Sequence, residues 1–484
     1  MIAKTLEINW HDGQAVYSVD FSPDGIRFAT AGADASVRLW SIQRQSEKFS
    51  NKATSNGDNK QLPVNIDFLS ELKRHSSPVN VVRFSPNGEY LASAGDDACI
   101  ILWKLSSNKE TTFGNEYSEY EKESWSAIQM FYGHNKEIYD LAWSPCGQYF
   151  ITASIDNTVR VWSVNERAVI HVFSDHTHYV QGVAWDPLGK YVATQSSDRT
   201  MAIYKYQKGA NGRLHFGFCA RRYSYLDKGK IERGMNQNNL STDQRQSSTN
   251  TTAGTSDETP TGTYRFYHDE NLVSFFRRLS FSPDGSFLIT PAGLHKNTNE
   301  CSMGPNDDEM QNCSYIFPRN TILKYPIAFT GNYNKPSIAI RWCNQPYERR
   351  ITKKTSLFNL PYRLVYAVAT QDSIYIYDTQ QEHPICALSG MHYAPITDLS
   401  WSKDGNILTF SSADGYCSVA VFDNNELGIP SSASIMDDRV QDEEINNDQQ
   451  QQVKKRRIAP TFISSFNSDF KSTSSPSTPI LKKK

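Results

Sequence analysis

Hydrophobic and polar positions alternate along short segments of this chain, and these segments return at a fixed interval. Residues 16–21 alternate as a half-buried strand does, and 22–25 supply Ser, Pro, Asp and Gly, which are residues of a tight turn. A strand pattern resumes at 27–30 and, after a second turn, again at 37–40. The pattern therefore predicts antiparallel strands joined by short turns.

An opening and a closing aromatic residue bound each unit, and in four units they lie nineteen positions apart. These pairs are Phe21 with Trp40, Phe84 with Trp103, Trp143 with Trp162, and Trp185 with Tyr204. A fixed period of short strands is typical of the blades of a β-propeller. With three less regular units, the sequence predicts an all-β fold, a seven-bladed WD40 β-propeller over residues 1–427.

The less regular units lie in the second half of the chain. Residues 268–323 contain a turn after Phe281 but no clear closing Trp, whereas 327–379 keep two aromatic residues. The last unit, 383–423, recovers the pattern. Residues 2–10 have no unit of their own. We expect them to form the outer strand of the last blade and so to remove an open sheet edge.

Each regular unit also carries the same polar residue types at matching positions. Asp lies six residues before the closing aromatic residue, Ser or Thr ten before it, and His nine or ten before the opening one. The members are His11, Thr30, Asp34 and Trp40; His75, Ser93, Asp97 and Trp103; His134, Thr152, Asp156 and Trp162; His176, Thr194 and Asp198; and His392 and Asp414. We expect them to tie strands together through buried hydrogen bonds.

Ser, His and Asp also suggest a hydrolase, but a catalytic set would be expected at one place rather than in many units. The sequence has no phosphate-binding glycine loop, no HExxH motif and no Cys/His cluster with metal-ligand spacing. Eight cysteines are scattered singly. We therefore expect a non-catalytic protein without a cofactor or bound metal.

Polar segments that cannot bury a core interrupt the repeats. We expect disordered insertions at about 43–65, 106–125, 207–265 and 294–314, and a disordered tail at 428–484. The net charge of −2 gives no general attraction to nucleic acid. No segment approaches the roughly eighteen apolar residues of a membrane span, so no membrane partner is expected.

The tail contains a basic run that leads directly into apolar residues, within segment 453–464. The residues concerned are Lys454, Lys455, Arg456, Arg457, Ile458, Pro460 and Phe462. A basic run in such a tail often serves only as a nuclear-import signal. The apolar residues around Pro460 instead suit an extended peptide that docks along a sheet, with arginines facing acids. Both interpretations stay open on the residues alone.

The chain resembles the middle, WD40-repeat subunit of the three-subunit chromatin assembly factor 1, a histone chaperone. The matching segments are 7–11, 79–86, 94–98, 275–281, 290–293 and 361–370. Three of them lie in the less regular units, where general similarity between propellers would not produce a match.

The resemblance implies a scaffold that works with the large and small subunits to deposit newly made histones H3–H4 on replicating DNA in the nucleus. The propeller would join the large subunit. Residues 456–460 would bind the anti-silencing-function histone chaperone. Histones would be contacted mainly through the complex, and DNA only indirectly. Phe275, Phe276, Arg277 and Arg278 are a candidate for part of the large-subunit surface, with an ordinary inner strand as the alternative.

Two other classes of protein stay possible. A Hir-type, replication-independent chaperone subunit has a similar propeller and arginine motif, but we would expect a long second domain after its propeller. A WD40 substrate receptor of a ubiquitin ligase would leave the basic tail segment unexplained.

Overall fold

Seven β-sheets of four or five strands and one two-stranded sheet make up the described part of this chain. The computed structural model describes residues 1–44, 64–106, 121–209, 212–227, 263–296, 310–351, 356–431 and 480–481. In these ranges the chain consists of strands, turns and one short 3₁₀ helix, Arg319–Thr321. None of the described residues belongs to a helix long and apolar enough to cross a membrane. The predicted all-β fold is confirmed.

The strands group in chain order into blades of four. Blades 1 and 2 contain β2 (Val16–Phe21), β3 (Arg27–Gly32), β4 (Ser36–Arg44) and β5 (Val64–Lys73), then β6 (Val79–Phe84), β7 (Leu91–Gly95), β8 (Ile100–Leu105) and β9 (Trp125–Phe131). Blades 3 and 4 contain β10 (Ile138–Trp143), β11 (Tyr149–Ser154), β12 (Val159–Ser163) and β13 (Ala168–Phe173), then β14 (Val180–Trp185), β15 (Tyr191–Ser196), β16 (Thr200–Lys208) and β17 (Leu214–Tyr223). Within each blade, neighbouring strands are antiparallel.

The remaining strands complete the ring. Blades 5 and 6 contain β20 (Ser280–Phe281), β21 (Phe287–Lys296), β22 (Met310–Pro318) and β23 (Ala328–Tyr333), then β24 (Ser337–Trp342), β25 (Val365–Thr370), β26 (Ser373–Asp378) and β27 (Cys386–Ser389). Blade 7 contains β28 (Ile396–Trp401), β29 (Ile407–Ser412), β30 (Cys417–Val421) and the first strand, β1 (Ile2–Leu6). A separate hairpin joins β18 (Tyr225–Asp227) to β19 (Thr263–Arg265), and β31 (Ile480–Leu481) pairs in parallel with β27.

The first strand closes the ring, as the sequence predicted. β1 pairs antiparallel with β30, from Ile2 opposite Val421 to Leu6 opposite Cys417. The last blade thereby gains its fourth strand from the other end of the chain. The edge of β30 that would otherwise be open is covered.

The hydrophobic core lies in layers between the blades. Seven clusters of buried side chains each combine residues from two neighbouring blades. One cluster joins Val16 and Trp40 of blade 1 to Val419 of blade 7. Because each blade is apolar on both faces, it needs a neighbour on each side. A closed ring meets that requirement for all seven.

Several expected insertions contain ordered strands at their ends. Residues 214–223, expected in the insertion at 207–265, form β17 and pair with β16. β21 extends to Lys296, and β22 begins at Met310. These outer strands border long polar segments, so composition placed the boundaries of the insertions inside the strands. Residues 225–227 and 263–265 of the insertion at 207–265 form β18 and β19. Residues 45–63, 107–120, 210–211, 228–262 and 297–309 lie outside the described ranges.

The repeated His, Asp and Ser/Thr side chains form a hydrogen-bonded chain in each regular blade. In blade 2, His75 Nδ1 lies 2.8 Å from Asp97 and His75 Nε2 lies 2.7 Å from Ser93 Oγ. Trp103 Nε1 donates to the same Ser93 oxygen at 2.8 Å. Blades 1 and 3 repeat these contacts in full. Each polar atom buried here therefore has a partner within its own blade.

Blades 4 and 7 keep only some of these hydrogen bonds. In blade 4 the closing residue is Tyr204, whose hydroxyl donates to Asp175 at 3.0 Å, while His176 still contacts Asp198 and Thr194. In blade 7, His392 contacts Asp414, but its second ring nitrogen lies 2.8 Å from Ser418.

The register shows why blade 7 departs from the pattern. Ala420 pairs with Leu408, as Trp40 pairs with Phe28 in blade 1. Ala420 therefore occupies the closing position of blade 7, so no aromatic ring stands there to donate to the His–Ser/Thr pair.

Replacing Trp103 tests the register assigned to blade 2. Trp103→Ala removes a side chain that is 2% exposed and should cost about 3–5 kcal/mol of unfolding free energy. Trp103→Phe keeps an aromatic ring and loses the hydrogen bond to Ser93, so it should cost less. Thermal and denaturant unfolding of both variants would measure the difference. An unchanged melting temperature for Trp103→Ala would contradict the buried position.

Candidate docking surface at the channel mouth

The first strand of each blade faces the centre of the ring, where successive first strands contact each other around a central channel. Two faces of the ring can be distinguished. The histidine face carries the His–Asp pairs and the connections between blades. The turn face carries the tight turns between first and second strands. The end of the channel on the histidine face is called the channel mouth here.

Six of the seven first strands begin with a β-bulge. The bulged residues are Tyr17, Asn80, Tyr139, Gln181, Ile338 and Thr397. A bulge leaves one residue outside the ladder and changes the direction of its side chain. Two tyrosines and two amide side chains are thus among the residues placed around the channel mouth.

The segment 273–279, which precedes the short strand β20, crosses this mouth. Phe276 is 2% exposed, and its ring centroid lies 6.2 Å from that of Tyr17 and 6.3 Å from that of Tyr139. The backbone N–H of Arg277 donates to the Gln181 carbonyl at 3.1 Å. A Cβ atom at Gly182 would lie only 1.8 Å from the Arg277 carbonyl oxygen, so the close crossing requires glycine at that position.

Arg278 lies beneath Phe276 and is fully buried in the channel. Its guanidinium carbon lies 4.0 Å from the Phe276 ring centroid, and its Nη2 donates to the Asn80 carbonyl at 2.7 Å. Its Nη1 forms an ion pair with Asp398. Burial lowers the pKa of Arg278 to about 10, which leaves the side chain charged at neutral pH.

Asp398 is the centre of a cluster of buried charges. Its carboxylate also pairs with Arg83 at 2.8 Å and with Arg341 at 3.3 Å. Burial would raise the pKa of Asp398, but Arg278, Arg83 and Arg341 together outweigh it and hold that pKa well below its usual range. The cluster therefore keeps its carboxylate ionised.

Two further aspartates complete the cluster and connect neighbouring blades. Asp20 accepts from the Phe84 N–H at 2.8 Å, and Asp140 accepts from the Val183 N–H at 3.1 Å. Asp398 similarly accepts from the Val19 N–H at 3.3 Å. Burial raises the pKa of Asp20. These contacts join the first strands of blades 1, 2, 3, 4 and 7.

The stretch 275–278, predicted as part of the large-subunit surface, contains one exposed side chain and three buried ones. Phe275 is 57% exposed at the mouth, whereas Phe276, Arg277 and Arg278 are buried. Arg277 donates to the carbonyls of His268 and Asp269. Only Phe275 can therefore contact a partner through its side chain. The stretch is not an ordinary inner strand either, since the strand begins at Ser280.

Sequence reasoning missed the buried charge cluster and the mouth tyrosines. A signal was present: Asp20, Arg83 and Arg341 each stand directly before an opening aromatic residue, inside a mainly apolar strand. A charge at such a position indicates a partner inside the fold. No comparable signal in the sequence indicates the bulges at Tyr17 and Tyr139.

The basic tail residues 454–462 lie outside the described ranges, which follow the chain without a gap from 356 to 431. The Glu348 N–H donates to the Ile429 carbonyl at 2.8 Å, and the Ser431 N–H donates to the Pro346 carbonyl at 2.9 Å. Residues 346–348 belong to the connection between β24 and β25 on the turn face. The chain therefore leaves the ring on the face opposite the channel mouth.

Replacing Asp398 tests whether the charge cluster supports the ring. Asp398→Asn removes the carboxylate from three arginines, and breaking a buried pair costs about 3–5 kcal/mol. We expect a lower melting temperature and less soluble protein. Asp423→Asn is the matched control, because the Asp423 side chain is 71% exposed. Equal melting temperatures for both variants would show that the cluster does not stabilise the ring.

Comparison with known proteins gives a consistent family. The family model described as the CAF1B/HIR1 beta-propeller domain matches residues 1–213 and 226–427. The B-type subunit of chromatin assembly factor 1 from Mus musculus is 39% identical over 443 residues, which are 88% of this chain and 68% of that protein. Its counterpart from Schizosaccharomyces pombe is 35% identical, with 90% of each chain covered. Protein HIR1 of Kluyveromyces lactis is 26% identical over 88% of this chain and 44% of its own.

The matched residues include strands of all seven blades and the segment 273–279 at the channel mouth. The gap at 214–225 falls on β17 and the start of β18. The identity is higher to the chromatin assembly factor 1 proteins than to the HIR1 protein. The chain therefore belongs to the CAF1B/HIR1 β-propeller family and, within it, to the B-type subunits of chromatin assembly factor 1.

Proposed function

We propose that this chain is a non-catalytic scaffold subunit of a nuclear histone chaperone complex that deposits newly made histones H3–H4 on replicating DNA. The observation that carries this proposal is the similarity to chromatin assembly factor 1 proteins along nearly the whole chain. DNA would be engaged only indirectly, which accords with the net charge of −2.

A scaffold role also agrees with the chemistry of the polar side chains. The His, Asp and Ser/Thr groups that suggest a hydrolase are held in repeated structural contacts, as His134 is between Asp156 and Thr152. Burial lowers the pKa of His134, which favours its neutral, hydrogen-bonded form. A side chain committed on both ring nitrogens is poorly placed to serve as a general base.

The propeller is proposed to dock the large subunit of the complex. A ring of packed blades presents rigid loops, and rigid surfaces lose little conformational entropy on binding. Docking should then require the ring and not the tail. The sequence suggested an end to the ring at 427, but residues 429 and 431 still make backbone hydrogen bonds to the turn face. The test therefore places the end of the shortened chain after Ser431.

A chain shortened to residues 1–431 should still co-purify with the large subunit in the same ratio as the full chain. Size-exclusion chromatography with light scattering would measure the ratio. A chain ending at 427 is the control, and it should melt at a lower temperature because it lacks the hydrogen bonds of Ile429 and Ser431. The proposal fails if residues 1–431 melt normally but no longer bind the large subunit.

The tail segment 453–464 is proposed to dock the anti-silencing-function histone chaperone. The support is chemical: arginines can pair with acids in forked hydrogen bonds, while Ile458 and Phe462 can enter an apolar groove. A nuclear-import signal would require only the basic charge, so substitutions that keep charge but change geometry separate the two roles.

A peptide of residues 453–464 should bind the chaperone in calorimetry, and Arg457→Ala with Ile458→Ala should weaken binding by well over tenfold. Loss of a desolvated ion-pair partner costs ~2–5 kcal/mol, and burying an Ile contributes about 1.5–3 kcal/mol.

Replacing Arg456 and Arg457 by Lys is the matched control, which keeps the charge but loses the forked geometry. Equal binding by all three peptides, or no binding by the natural one, would leave only nuclear import.

A Hir-type subunit is the second candidate because the family model covers both kinds of propeller. The lower identity to the HIR1 protein makes it the less favoured choice. No observation favours a ubiquitin-ligase receptor. Affinity purification with mass spectrometry of stoichiometric partners separates the three, since each assembles with different subunits.

A further inference from the structure

The channel mouth combines an exposed apolar patch with acidic side chains, and this combination points to a partner of definite chemistry. Val273 and Phe275 are 76% and 57% exposed, and the ring centroid of Phe275 lies 5.8 Å from that of Tyr139. Large apolar side chains exposed together in this way often mark a binding site. The mouth lies on the face opposite the one on which residues 429–431 contact the ring.

The apolar patch is held rigidly by hydrogen bonds from both sides of the ring. Gln371 Nε2 donates to the Val273 carbonyl at 2.8 Å, and Gln181 Nε2 donates to the Ser274 carbonyl at 3.2 Å. Ser274 Oγ accepts from the Phe276 N–H at 3.1 Å. The side chain of Phe275 is therefore exposed while its backbone is fixed. Such a residue loses little conformational entropy when it contacts a partner, as the anchor residues of interfaces do.

Acidic side chains lie on one side of this patch. Partial burial and the negative charges of Glu137 and Asp97 raise the pKa of Asp96. Asn80 Nδ2 donates to Asp96 at 2.7 Å, but Asn80 is neutral and leaves the charge uncompensated. Burial and the charges of Asp96 and Glu137 raise the pKa of Tyr139 to about 12. The mouth thus carries negative potential next to aromatic rings.

The arginines deeper in the channel are engaged by partners inside the fold. Arg83, Arg278 and Arg341 all pair with Asp398, and Arg83 and Arg278 also lie 3.8 Å from Asp140. Arg277 is engaged by backbone carbonyls and by the charges of Asp198 and Asp269. A phosphate backbone would be repelled by Asp96 and Glu137. A cation is attracted both by these carboxylates and by the faces of Tyr17 and Tyr139.

We propose that the channel mouth binds an extended segment of a basic partner protein, in which a Lys or Arg adjoins an apolar residue. The cation lies between Asp96 and Glu137, against the Tyr139 ring. The apolar residue packs on Phe275 and Val273. This inference goes beyond the scaffold function and does not depend on the tail motif.

The test uses the full chain and a fluorescein-labelled, end-capped peptide of ten residues, with two lysines, one arginine and two leucines among glycines and alanines. Fluorescence anisotropy should show saturable binding. A peptide with Gln in place of the Lys and Arg should bind at least tenfold more weakly. Raising the salt concentration should weaken the basic peptide more than the Gln peptide.

Variants of the chain locate the binding. Phe275→Ala should weaken the basic peptide at least tenfold, and Asp96→Asn with Glu137→Gln at least fivefold. Phe218→Ala is the matched control, because Phe218 is 99% exposed on the outer strand of blade 4, and it should leave binding unchanged. Melting temperatures of all variants would be measured alongside. The carboxylate double variant tests the site even if Phe275→Ala destabilises the ring.

Three results would overturn the proposal. The first is equal peptide binding by the natural chain and both mouth variants. The second is displacement of the peptide by a single-stranded oligonucleotide at low micromolar concentration. The third is much tighter binding to a chain ending at Ser431, because the mouth would then be occupied by this chain's own tail rather than by a partner.

Discussion

Closure of the ring is the constraint on which the other features depend. The core consists of seven apolar layers, each shared by two blades, so opening the ring at one junction would expose both faces of one layer to water. β1 supplies the fourth strand of blade 7, and Val16 and Trp40 pack against Val419 across the junction. Asp398 of blade 7 then reaches the Val19 N–H of blade 1 inside the channel. The two ends of the propeller are thus joined at the outer edge and at the centre.

The buried charges explain how an irregular blade keeps its place in the ring. Blade 5 has a first strand of only two residues, so few ladder hydrogen bonds position it. Arg278, just before that strand, bonds with residues of blades 2 and 7, and its backbone exchanges hydrogen bonds with Ile338 and Ile340 of blade 6. An ion pair of this kind contributes little net stability compared with apolar packing. Its geometry nevertheless fixes one register for the segment that crosses the channel.

The two faces of the ring present different chemistry. At its centre, the histidine face has an aromatic patch that includes Tyr139 and Phe275, and the acidic residue Asp96 lies next to this patch. The turn face carries the exit of the chain, where residues 429–431 bond to the connection after β24. The mouth and residues 429–431 therefore lie at opposite ends of the channel.

The sequence by itself determined the number of blades, the closing role of the first strand and the hydrogen-bonded chains such as His75–Ser93–Trp103. Each of these follows from local periodicity. Residues at fixed spacing contact each other within one blade, and that contact does not depend on which blade lies beside it. Only the tertiary structure decided which long-range contacts occur. Asp398 and Arg278 are 120 positions apart in the sequence and meet because the ring brings blades 5 and 7 to a common centre. The bulges at Tyr17 and Tyr139 and the burial of Arg277 likewise depend on how the strands converge, which no spacing along the chain records.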